Sequence, residues 1–321
     1  MTRVEAGSRL HFGLLHVPVD GFSHWPDGTP VRRFGGVGLM IRDPAVSVIV
    51  AKANEWSATG PSADRALEFA GRIAGETCLR VTVESCPAEH VGLGVGTQLG
   101  MVVGTAVARE LGLTLSPEEV RTEVGRGDRS GIGVHGFAHG GLILDAGKRE
   151  ANAPAAAISR IPFPEDWGIV LIRPHLDADW HGPRERSAFA RSRDVDTAMR
   201  TTERLCRLAT FGLVPAALER DYPAFAAAVY EFNRLAGAPF AADQGGTYAS
   251  PAVEEVVRCV RELGVPAAGQ SSWGPTAFTI CPDSERATRL AAQLRHRFPH
   301  LDDIRVTSAR NVGASSAGVN P

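Results

Sequence analysis

The sequence lacks the features of several protein classes. It has no apolar window approaching the roughly 20 residues that a membrane-spanning helix needs, and its first ten residues, MTRVEAGSRL, lack the charged-then-apolar pattern of a signal peptide. The five cysteines are scattered and include no C-x-x-C pair, which favours reduced, buried thiols over a disulfide framework or a zinc site. A formal net charge of −2 argues against an extended nucleic-acid-binding surface. We therefore expect a cytoplasmic protein that binds neither a membrane nor a nucleic acid.

The standard nucleotide-binding motifs are also missing. The segment HVGLGVGTQLG, residues 90–100, is rich in glycine, but no Gly-Lys-Ser/Thr follows it, so the Walker pattern is absent. The positions of Gly92, Gly94 and Gly96 do not fit the dinucleotide fingerprint G-x-G-x-x-G either. A standard P-loop or Rossmann site is thereby disfavoured.

The length of 321 residues predicts about two domains. Alanine and proline are concentrated between Asn152 and Pro164, which is typical of a linker. We therefore predict an N-terminal domain over residues 1–160 and a C-terminal domain over residues 161–310. Residues 311–321 have no apolar pattern and are expected to be disordered.

Periodicity and capping residues predict the main elements. The first 50 residues read as strands with a hairpin at Asp43 and Pro44, while Ser62, Ser116 and Asp283 have the character of helix caps. Ser116 is followed by Pro117 and by a glutamate at the third helical position, which is a capping box. The other segments with helical spacing are Met101–Leu111 with Gly112 as its stop, Ser187–Leu208, Pro215–Leu235 and Ala252–Leu263.

The glycine-rich segment directly precedes a helix, and this position suggests an anion site. A helix N-terminus presents unpaired N–H groups and a partial positive charge, and glycines let a phosphate approach the backbone closely. The Thr97 hydroxyl is a further donor or a metal ligand. A glycine loop before a helix is also a common packing solution, so this signal is weak when taken alone. The candidate cradle consists of Gly92, Leu93, Gly94, Val95, Gly96, Thr97 and Gln98.

Three motifs in order strengthen the interpretation. SRLHFGLL near the N-terminus, HVGLGVGTQLG before a helix and GQSSWGPTAF late in the chain resemble the three signature regions of the GHMP kinase superfamily. Pro87 and Gly92-Leu93-Gly94 fall on the middle motif with one extra residue in the spacing. More narrowly, SRLHFGLL, RRFGGVGL, GLGVGTQL and GRGDRSGIGVHGFAHGGLILDAG resemble one branch of that superfamily, the beta-ribofuranosylaminobenzene 5'-phosphate synthases.

This resemblance implies a fold and a reaction. The fold would be α+β with two domains, the N-terminal one resembling domain-2-like folds of ribosomal proteins and the C-terminal one a ferredoxin-like α/β sandwich. The reaction would join phosphoribosyl pyrophosphate to 4-hydroxybenzoate or 4-aminobenzoate and release diphosphate and carbon dioxide, in methanopterin biosynthesis. The resemblance further implies Mg²⁺, no organic cofactor, and a homodimer.

Two rival functions remain open. An ATP-dependent small-molecule kinase of the same superfamily is disfavoured because Gly133 stands where such kinases carry an aspartate, and Val95 and Gly96 replace their serine pair. A kinase would need another carboxylate, such as Asp20 or Asp128. The other rival is a non-catalytic binding protein, because the N-terminal fold of this superfamily resembles ribosomal protein domains.

Several polar residues are candidates to contact substrate. Arg33, beside Arg32 and a glycine pair, can clamp phosphate or benzoate, although a solvated pair on a loop is an equal alternative. Arg126 and Arg129 have the same two interpretations, and Ser130 is a further phosphate donor. His11 is either a substrate contact or a core histidine. A late glycine turn supplies Ser271, Ser272 and Gly274, with Trp273 as packing or as a wall for an aromatic substrate.

Two histidine patterns suggest metal ligands only weakly. His135 and His139 are four residues apart, but the surrounding glycines argue against a helix that would place both on one face. His175, Asp177, Asp179 and His181 alternate, which on an extended segment makes them the better transition-metal candidate. A polar surface loop is the favoured interpretation of that segment.

Overall fold

The computed structural model describes residues 1–150, 153–174, 194–301 and 303–319 and has an α+β fold built on two sheets. The first sheet has seven strands, with β11, β1, β2, β4 and β3 side by side and β5 joining β2 to β6. Only β3 and β4 run parallel; the other paired strands are antiparallel. The strands are β1 (Thr2–Leu14), β2 (Gly36–Lys52), β3 (Ser57–Thr59), β4 (Leu79–Ser85), β5 (Leu142–Asp145), β6 (Ala157–Ile161) and β11 (Ser315–Gly318).

Strand β2 is 17 residues long and organises this sheet. Its first half pairs with β5 and its second half with β4, while β1 pairs along both halves. The predicted hairpin at Asp43 and Pro44 is wrong, because the strand continues through them. Val46, Val48 and Val50 are fully buried on the far side, so their burial favours one continued strand over a turn. The register of β1 against β2 shifts between Ala6 and Ser8.

Four helices accompany the first sheet: α1 (Ala63–Ala74), α2 (Val95–Glu110), α3 (Pro117–Glu123) and α4 (Ile132–His139). The capping box at Ser116 is confirmed, since its hydroxyl accepts from the Glu119 amide and the Glu119 carboxylate accepts from the Ser116 amide. Gly112 follows the end of α2 at φ 74°, as predicted. Ser62 precedes α1 but lies in the left-handed region at φ 54°, and no side-chain cap bond forms there within the described chain. The prediction of a capping serine is therefore wrong at this helix.

The second sheet is antiparallel, in the order β10 (Asp303–Thr307), β7 (Ile169–Arg173), β9 (Ala277–Ile280) and β8 (Ala268–Gln270). Asp283 caps its last helix as predicted, by accepting from the Arg286 amide. The predicted helix Pro215–Leu235 is divided at Arg220, whose φ of 60° ends one helix before the next begins. The helices are α5 (Val195–Leu208), α6 (Val214–Glu219), α7 (Tyr222–Gly237), α8 (Ala241–Gln244), α9 (Pro251–Glu262) and α10 (Ser284–Arg297).

The C-terminal segment returns to the first sheet. Strand β11 pairs antiparallel with β1, with Gly318 opposite Thr2. The predicted disorder of residues 311–321 is therefore wrong for this strand, because an edge strand needs backbone partners rather than an apolar pattern of its own. The first sheet consequently contains residues from both sides of the predicted boundary near residue 160.

Strand β1 lies at the junction of the two halves. The Phe12 ring is fully buried and packs against Phe225 of α7 and Phe278 of β9, with ring centroids 6.4 and 5.2 Å away. This shared core fixes β1 relative to the second sheet. All five thiols are free, but Cys206 is exposed, so the prediction of burial fails there. No helix among the described ranges is long and apolar enough to cross a membrane.

Candidate active site

A cavity of about 310 Å³ lies where the two halves meet. One wall comes from β1, the glycine-rich segment and the loop before α4; the opposite wall comes from α7, α8 and the turn between β8 and β9. The residues that the first wall contributes are Arg9, His11–Leu14, Arg65, Glu89–Thr97 and Arg126–Ser130.

The glycine-rich segment presents the N-terminus of α2 to this cavity. Gly94 is the capping residue at φ 70°, and no side chain of the described residues caps the helix. The Thr97 and Gln98 amides both donate to the Gly94 carbonyl at 3.1 Å. Helix geometry leaves the Val95 and Gly96 amides for an acceptor outside the helix. This is the backbone arrangement that binds phosphate at helix N-termini.

Two guanidinium groups lie over the first turn of α2. A Cβ atom on Gly96 would be 2.6 Å from Arg126 Nη2 and 3.1 Å from Arg65 Nη2. Arg126 Nε is buried and has no hydrogen-bond partner among the described residues. Burial lowers the pKa of Arg126, and the neighbouring Arg65 lowers it further. The Glu89 carboxylate pairs with Arg65, but Arg126 has no such partner among the described residues, so the first turn of α2 is a candidate anion site.

Arg9 and Arg129 complete what we call the cationic wall, which is Arg9, Arg65, Arg126 and Arg129. Arg9 Nε would lie 3.1 Å from a Cβ atom on Gly94, so this side chain also reaches the glycine segment. Sequence reasoning missed Arg9 and Arg65. Arg9 is two residues before His11 on a strand, and this alternation was an available signal. Arg65 comes from α1, and nothing in the local sequence connects it to the glycine segment.

His11 faces the same cavity from β1. It is 5% exposed, and its Nε2 is buried without a hydrogen-bond partner among the described residues. Burial lowers the pKa of His11 well below 6.5, and the charges of Arg9 and Arg129 lower it further. The imidazole is therefore neutral near pH 7. A neutral imidazole can both donate and accept a hydrogen bond without adding to the positive charge of the wall.

Buried side chains tie the two walls together. The Ser271 hydroxyl donates to the Gly92 carbonyl at 2.8 Å and accepts from the His11 amide at 3.0 Å. The Asn233 side chain donates to the carbonyls of Phe12 at 2.7 Å and Gln270 at 2.8 Å, and accepts from the Gln270 amide at 2.9 Å. The glycine segment, β1, α7 and β8 are thus held in one arrangement.

The opposite wall is aromatic and uncharged, and we call it the aromatic wall. Phe240 and Trp273 pack edge to face with ring centroids 5.2 Å apart. Its described residues include no charged side chain, in contrast to the four arginines across the cavity. They are Asn233, Ala236, Gly237, Phe240, Gln244, Thr247, Tyr248, Gln270, Ser272, Trp273 and Gly274.

A buried carboxylate holds the loop that carries Arg126 and Arg129. Asp145 is fully buried and accepts from the Ser130 hydroxyl at 3.0 Å, the Gly131 amide at 3.0 Å and the Gly147 amide at 2.6 Å. Burial raises the pKa of this carboxyl, and the hydrogen bonds oppose that effect. The Ser130 hydroxyl, predicted to donate to a phosphate, is thus already bonded to Asp145.

The structure brings most of the predicted site residues to the cavity, but not all. Gln98 is fully buried and its amide donates to the Gly133 carbonyl at 2.9 Å, so it supports α4. Ser271 is buried behind the wall. Arg33 is exposed and lies in a different concavity with His16 and Arg149. The predicted residues that do line the cavity are His11, Gly92, Leu93, Gly94, Val95, Gly96, Thr97, Arg126, Arg129, Ser130, Ser272 and Gly274.

The histidine patterns form no metal site in the part of the chain that the structure describes. Residues 132–139 do form a helix, contrary to the prediction, because close packing overrides the low helix propensity of glycine. A Cβ atom on Gly136 would lie 2.3 Å from Met40 Sδ. His135 bonds to the Ala155 carbonyl at 2.9 Å, and no group of three or more potential ligands is found among the described residues. Residues 175–181 lie outside the described ranges.

The chain is similar to known proteins both in sequence and in fold. The chain is 31% identical to the beta-ribofuranosylphenol 5'-phosphate synthase of Archaeoglobus fulgidus over 98% of both chains. It is 29% identical to the synthase of the same name from Methanothermobacter thermautotrophicus over 97% of both. The family described as GHMP kinases C terminal matches residues 213–300. The fold is similar to that of mevalonate-3-kinase from Thermoplasma acidophilum, with a TM-score of 0.66, 12% identity and 99% coverage of both chains.

Proposed function

Because the chain belongs to the family of beta-ribofuranosylphenol 5'-phosphate synthases, we propose that it condenses phosphoribosyl pyrophosphate with 4-hydroxybenzoate or 4-aminobenzoate. The reaction releases diphosphate and carbon dioxide and belongs to methanopterin biosynthesis. The observation that carries this assignment is one cavity in which a cationic wall faces an aromatic, uncharged wall. The first suits a sugar diphosphate, and the second suits a benzoate ring.

The departure of diphosphate sets the first chemical demand. The bond between the anomeric carbon and the diphosphate oxygen breaks with its electron pair on oxygen, which leaves an oxocarbenium-like sugar. On this proposal the Val95 and Gly96 amides and the guanidinium groups of Arg65 and Arg126 would hold the departing charge. Such preorganised donors stabilise developing charge more than water does, because they need no reorganisation.

The attack by the aromatic ring sets the second demand. The ring carbon that bears the carboxylate forms a bond to the anomeric carbon, and the carbon–carboxylate bond then breaks. Its electron pair restores aromaticity as carbon dioxide leaves, so no substrate hydroxyl has to be deprotonated. The protein must hold two carbons close together, which is a proximity effect. His11 lines the same cavity, and we assign its neutral imidazole to hydrogen-bond the ribosyl moiety.

Magnesium fits the residues at the cationic wall. Mg²⁺ keeps several waters and binds through one or two carboxylates together with substrate phosphates. Asp128 and Thr97 line the cavity beside the α2 N-terminus and would hold the ion there, whereas the Glu89 carboxylate is paired with Arg65. When bound, the ion neutralises diphosphate charge. The rest of the chemistry requires no organic cofactor.

The kinase alternative has less support. Gly133 carries no carboxylate, and a Cβ atom there would lie 3.0 Å from Thr97 Cγ2. Its carbonyl is occupied by Gln98. The similarity to solved kinases in this superfamily shows the fold alone.

The deciding experiment measures both products. Purified protein is incubated with Mg²⁺, phosphoribosyl pyrophosphate and either benzoate labelled at its carboxyl carbon. We expect labelled carbon dioxide and diphosphate in equal amounts, dependent on the donor and unaffected by ATP. No release from either acceptor, combined with nucleotide turnover on a sugar or alcohol, would favour the kinase.

We also propose a cytoplasmic location and, on the family resemblance, a homodimer. Both substrates are charged metabolites made inside cells, which supports the location. Light scattering on the purified chain measures the oligomeric state, and a monomeric mass would exclude the dimer.

A further inference from the structure

Two polar side chains in the aromatic wall, those of Gln244 and Tyr248, have a buried oxygen without a hydrogen-bond partner among the described residues. Gln244 is 8% exposed and lines the cavity. Its Oε1 atom is buried and has no hydrogen-bond partner in the described parts of the chain. Buried polar atoms are almost always hydrogen-bonded, so an exception inside a binding cavity indicates a missing ligand.

A neighbouring glutamine shows what a structural amide looks like in this wall. Gln270 is also buried, but its Oε1 accepts from the Ala249 amide at 2.6 Å and its Nε2 donates to the Ser272 carbonyl at 3.1 Å. Both ends of that amide are used to hold the turn between β8 and β9. Gln244 makes no comparable bonds with the residues that the structure describes, and its carbonyl oxygen is available to a ligand.

Gln244 is also well placed beside an aromatic ligand. It is the last residue of α8, four residues after Phe240, and this spacing puts the two side chains on one face of the helical segment. The Phe240 ring packs against Trp273, which lines the same cavity. A flat ring bound at this wall would therefore have two aromatic neighbours and one amide at its edge.

The proposed reaction fixes how a benzoate must lie. The carbon bearing the carboxylate has to face the sugar, whose diphosphate is held at the cationic wall. The para substituent is on the opposite ring carbon and points toward the aromatic wall. We propose that the Gln244 side-chain amide binds the para substituent of the aromatic acceptor, so that Gln244 selects for a benzoate whose para group donates a hydrogen bond. This inference rests on the proposed ribosyltransferase function.

The chemistry explains which acceptors bind. A para hydroxyl or amino group donates to the amide oxygen, whereas a methyl or fluoro group leaves that oxygen buried and unpaired. An unmade hydrogen bond at a buried site weakens binding more than a made one strengthens it. Gln244 thus discriminates because benzoates without a donating para group lose binding free energy when they leave its oxygen unpaired.

Direct binding of four benzoates tests the proposal. Calorimetry is performed on the full chain with 4-hydroxy-, 4-amino-, 4-methyl- and 4-fluorobenzoate. We expect the wild type to bind the first two at least about tenfold more tightly than the last two, as loss of one buried hydrogen bond implies. In Gln244→Met, which has a similar shape but no amide, this ratio should fall to about twofold or less. Gln293→Met, at an exposed position on α10, is the matched control and should keep the ratio.

A second variant and a second ligand distinguish a failure of the role proposed for Gln244 from a failure of the proposed ribosyltransferase function. Gln244→Glu keeps an acceptor atom and should retain the preference for para groups that donate a hydrogen bond. Loss of that preference in Gln244→Glu would overturn the proposal. An affinity ratio in Gln244→Met equal to that of the wild type would also overturn it. Affinity for phosphoribosyl pyrophosphate should be unchanged in both variants, which also reports their folding. If the wild type binds the donor and releases carbon dioxide while Gln244→Met keeps the full ratio, only this inference fails. If the wild type releases none, the proposed function fails, and the binding ratio still decides the role of Gln244.

Discussion

Arg126 and Gly96 are in such close contact that a methyl group on Gly96 would lie 2.6 Å from the Arg126 guanidinium. Gly96 is not among the glycines with positive φ, so its backbone conformation is open to any residue. The small residue is therefore needed for the cation above it and not for the turn. This relationship separates the effect of a substitution on ligand binding from its effect on folding.

Gly96→Ala should weaken donor binding without harming the fold. The added methyl group displaces Arg126 and Arg65, and the loss of one charge-assisted hydrogen bond corresponds to about a tenfold increase in KM for phosphoribosyl pyrophosphate. Stability should be unchanged or higher by up to about 1 kcal/mol, because alanine is the better helix former. Steady-state kinetics and urea denaturation measure the two effects. Gly71→Ala in α1, where nothing lies within 4 Å of the new Cβ atom, is the control. An unchanged KM in Gly96→Ala would count against the anion site.

Arg126→Met should separate function from stability. The cation is buried beside Arg65, and burial lowers its pKa, so its charge is unfavourable in the free protein. We expect kcat/KM to fall by about 10- to 100-fold, as the loss of a hydrogen bond from a charged group implies, while the melting temperature stays level or rises. Diphosphate should raise the melting temperature of the wild type but not of the variant. Arg289→Met, which removes an exposed ion pair with Glu285, should change neither property much. A marked loss of stability in Arg126→Met would contradict this account.

His11 should make the protein less stable in acid. Its pKa in the folded state lies well below 6.5, the pKa of a histidine in the unfolded chain. At a pH between these two pKa values, the unfolded chain binds more protons than the native one. Stability is therefore fully present above pH 6.5 and is lost as the pH falls from there toward the folded pKa, by up to about 1.4 kcal/mol per pH unit. Urea denaturation at several pH values should show a shallower acid loss in His11→Gln. His296→Gln, at an exposed position on α10, should follow the wild type. Parallel pH profiles for His11→Gln and the wild type would refute the assignment.

Asp145→Asn should loosen the loop that bears Arg126 and Arg129. One of the three donors that meet the carboxylate would then face an amide N–H instead of an acceptor, at a cost of about 1–3 kcal/mol. We also expect KM for phosphoribosyl pyrophosphate to rise more than kcat falls, because the loop carries two of the guanidinium groups that we propose bind the donor. Chemical denaturation and kinetics test both parts. Asp166→Asn, at an exposed pair with Arg220, provides the comparison and should cost less than about 1 kcal/mol.

Local signals explain what could be predicted. The glycine segment, the start of α2 near it and the capping residues Ser116 and Asp283 all depend on neighbours within four residues, so their pattern is visible in the sequence. The motif order likewise indicated the family and an α+β fold. These features were enough to predict the main parts of the candidate anion site, which are the N-terminus of α2 and the arginines Arg126 and Arg129 of the loop before α4.

The errors occur where distant parts of the chain decide the outcome. Arg33 adjoins a glycine pair in sequence, but it lies in a different concavity, and Gln98 turns toward Gly133 instead of the cavity. Arg65 reaches the site only because α1 packs on α2. Helix α4 forms despite its glycines because Met40 occupies the space beside Gly136. None of these contacts has a signature in the local sequence.

The bonds of Ser271 and Asn233 set a fixed gap between the two walls. Every polar atom of the Asn233 amide is engaged with backbone on either side of that gap. The distance between the two walls is therefore fixed. The reacting carbons meet only if the diphosphate ester and the aromatic ring together span that distance. A donor lengthened by one carbon at the anomeric position could still bind through its phosphates at the cationic wall. Its electrophilic carbon would then be misplaced relative to the attacking ring carbon.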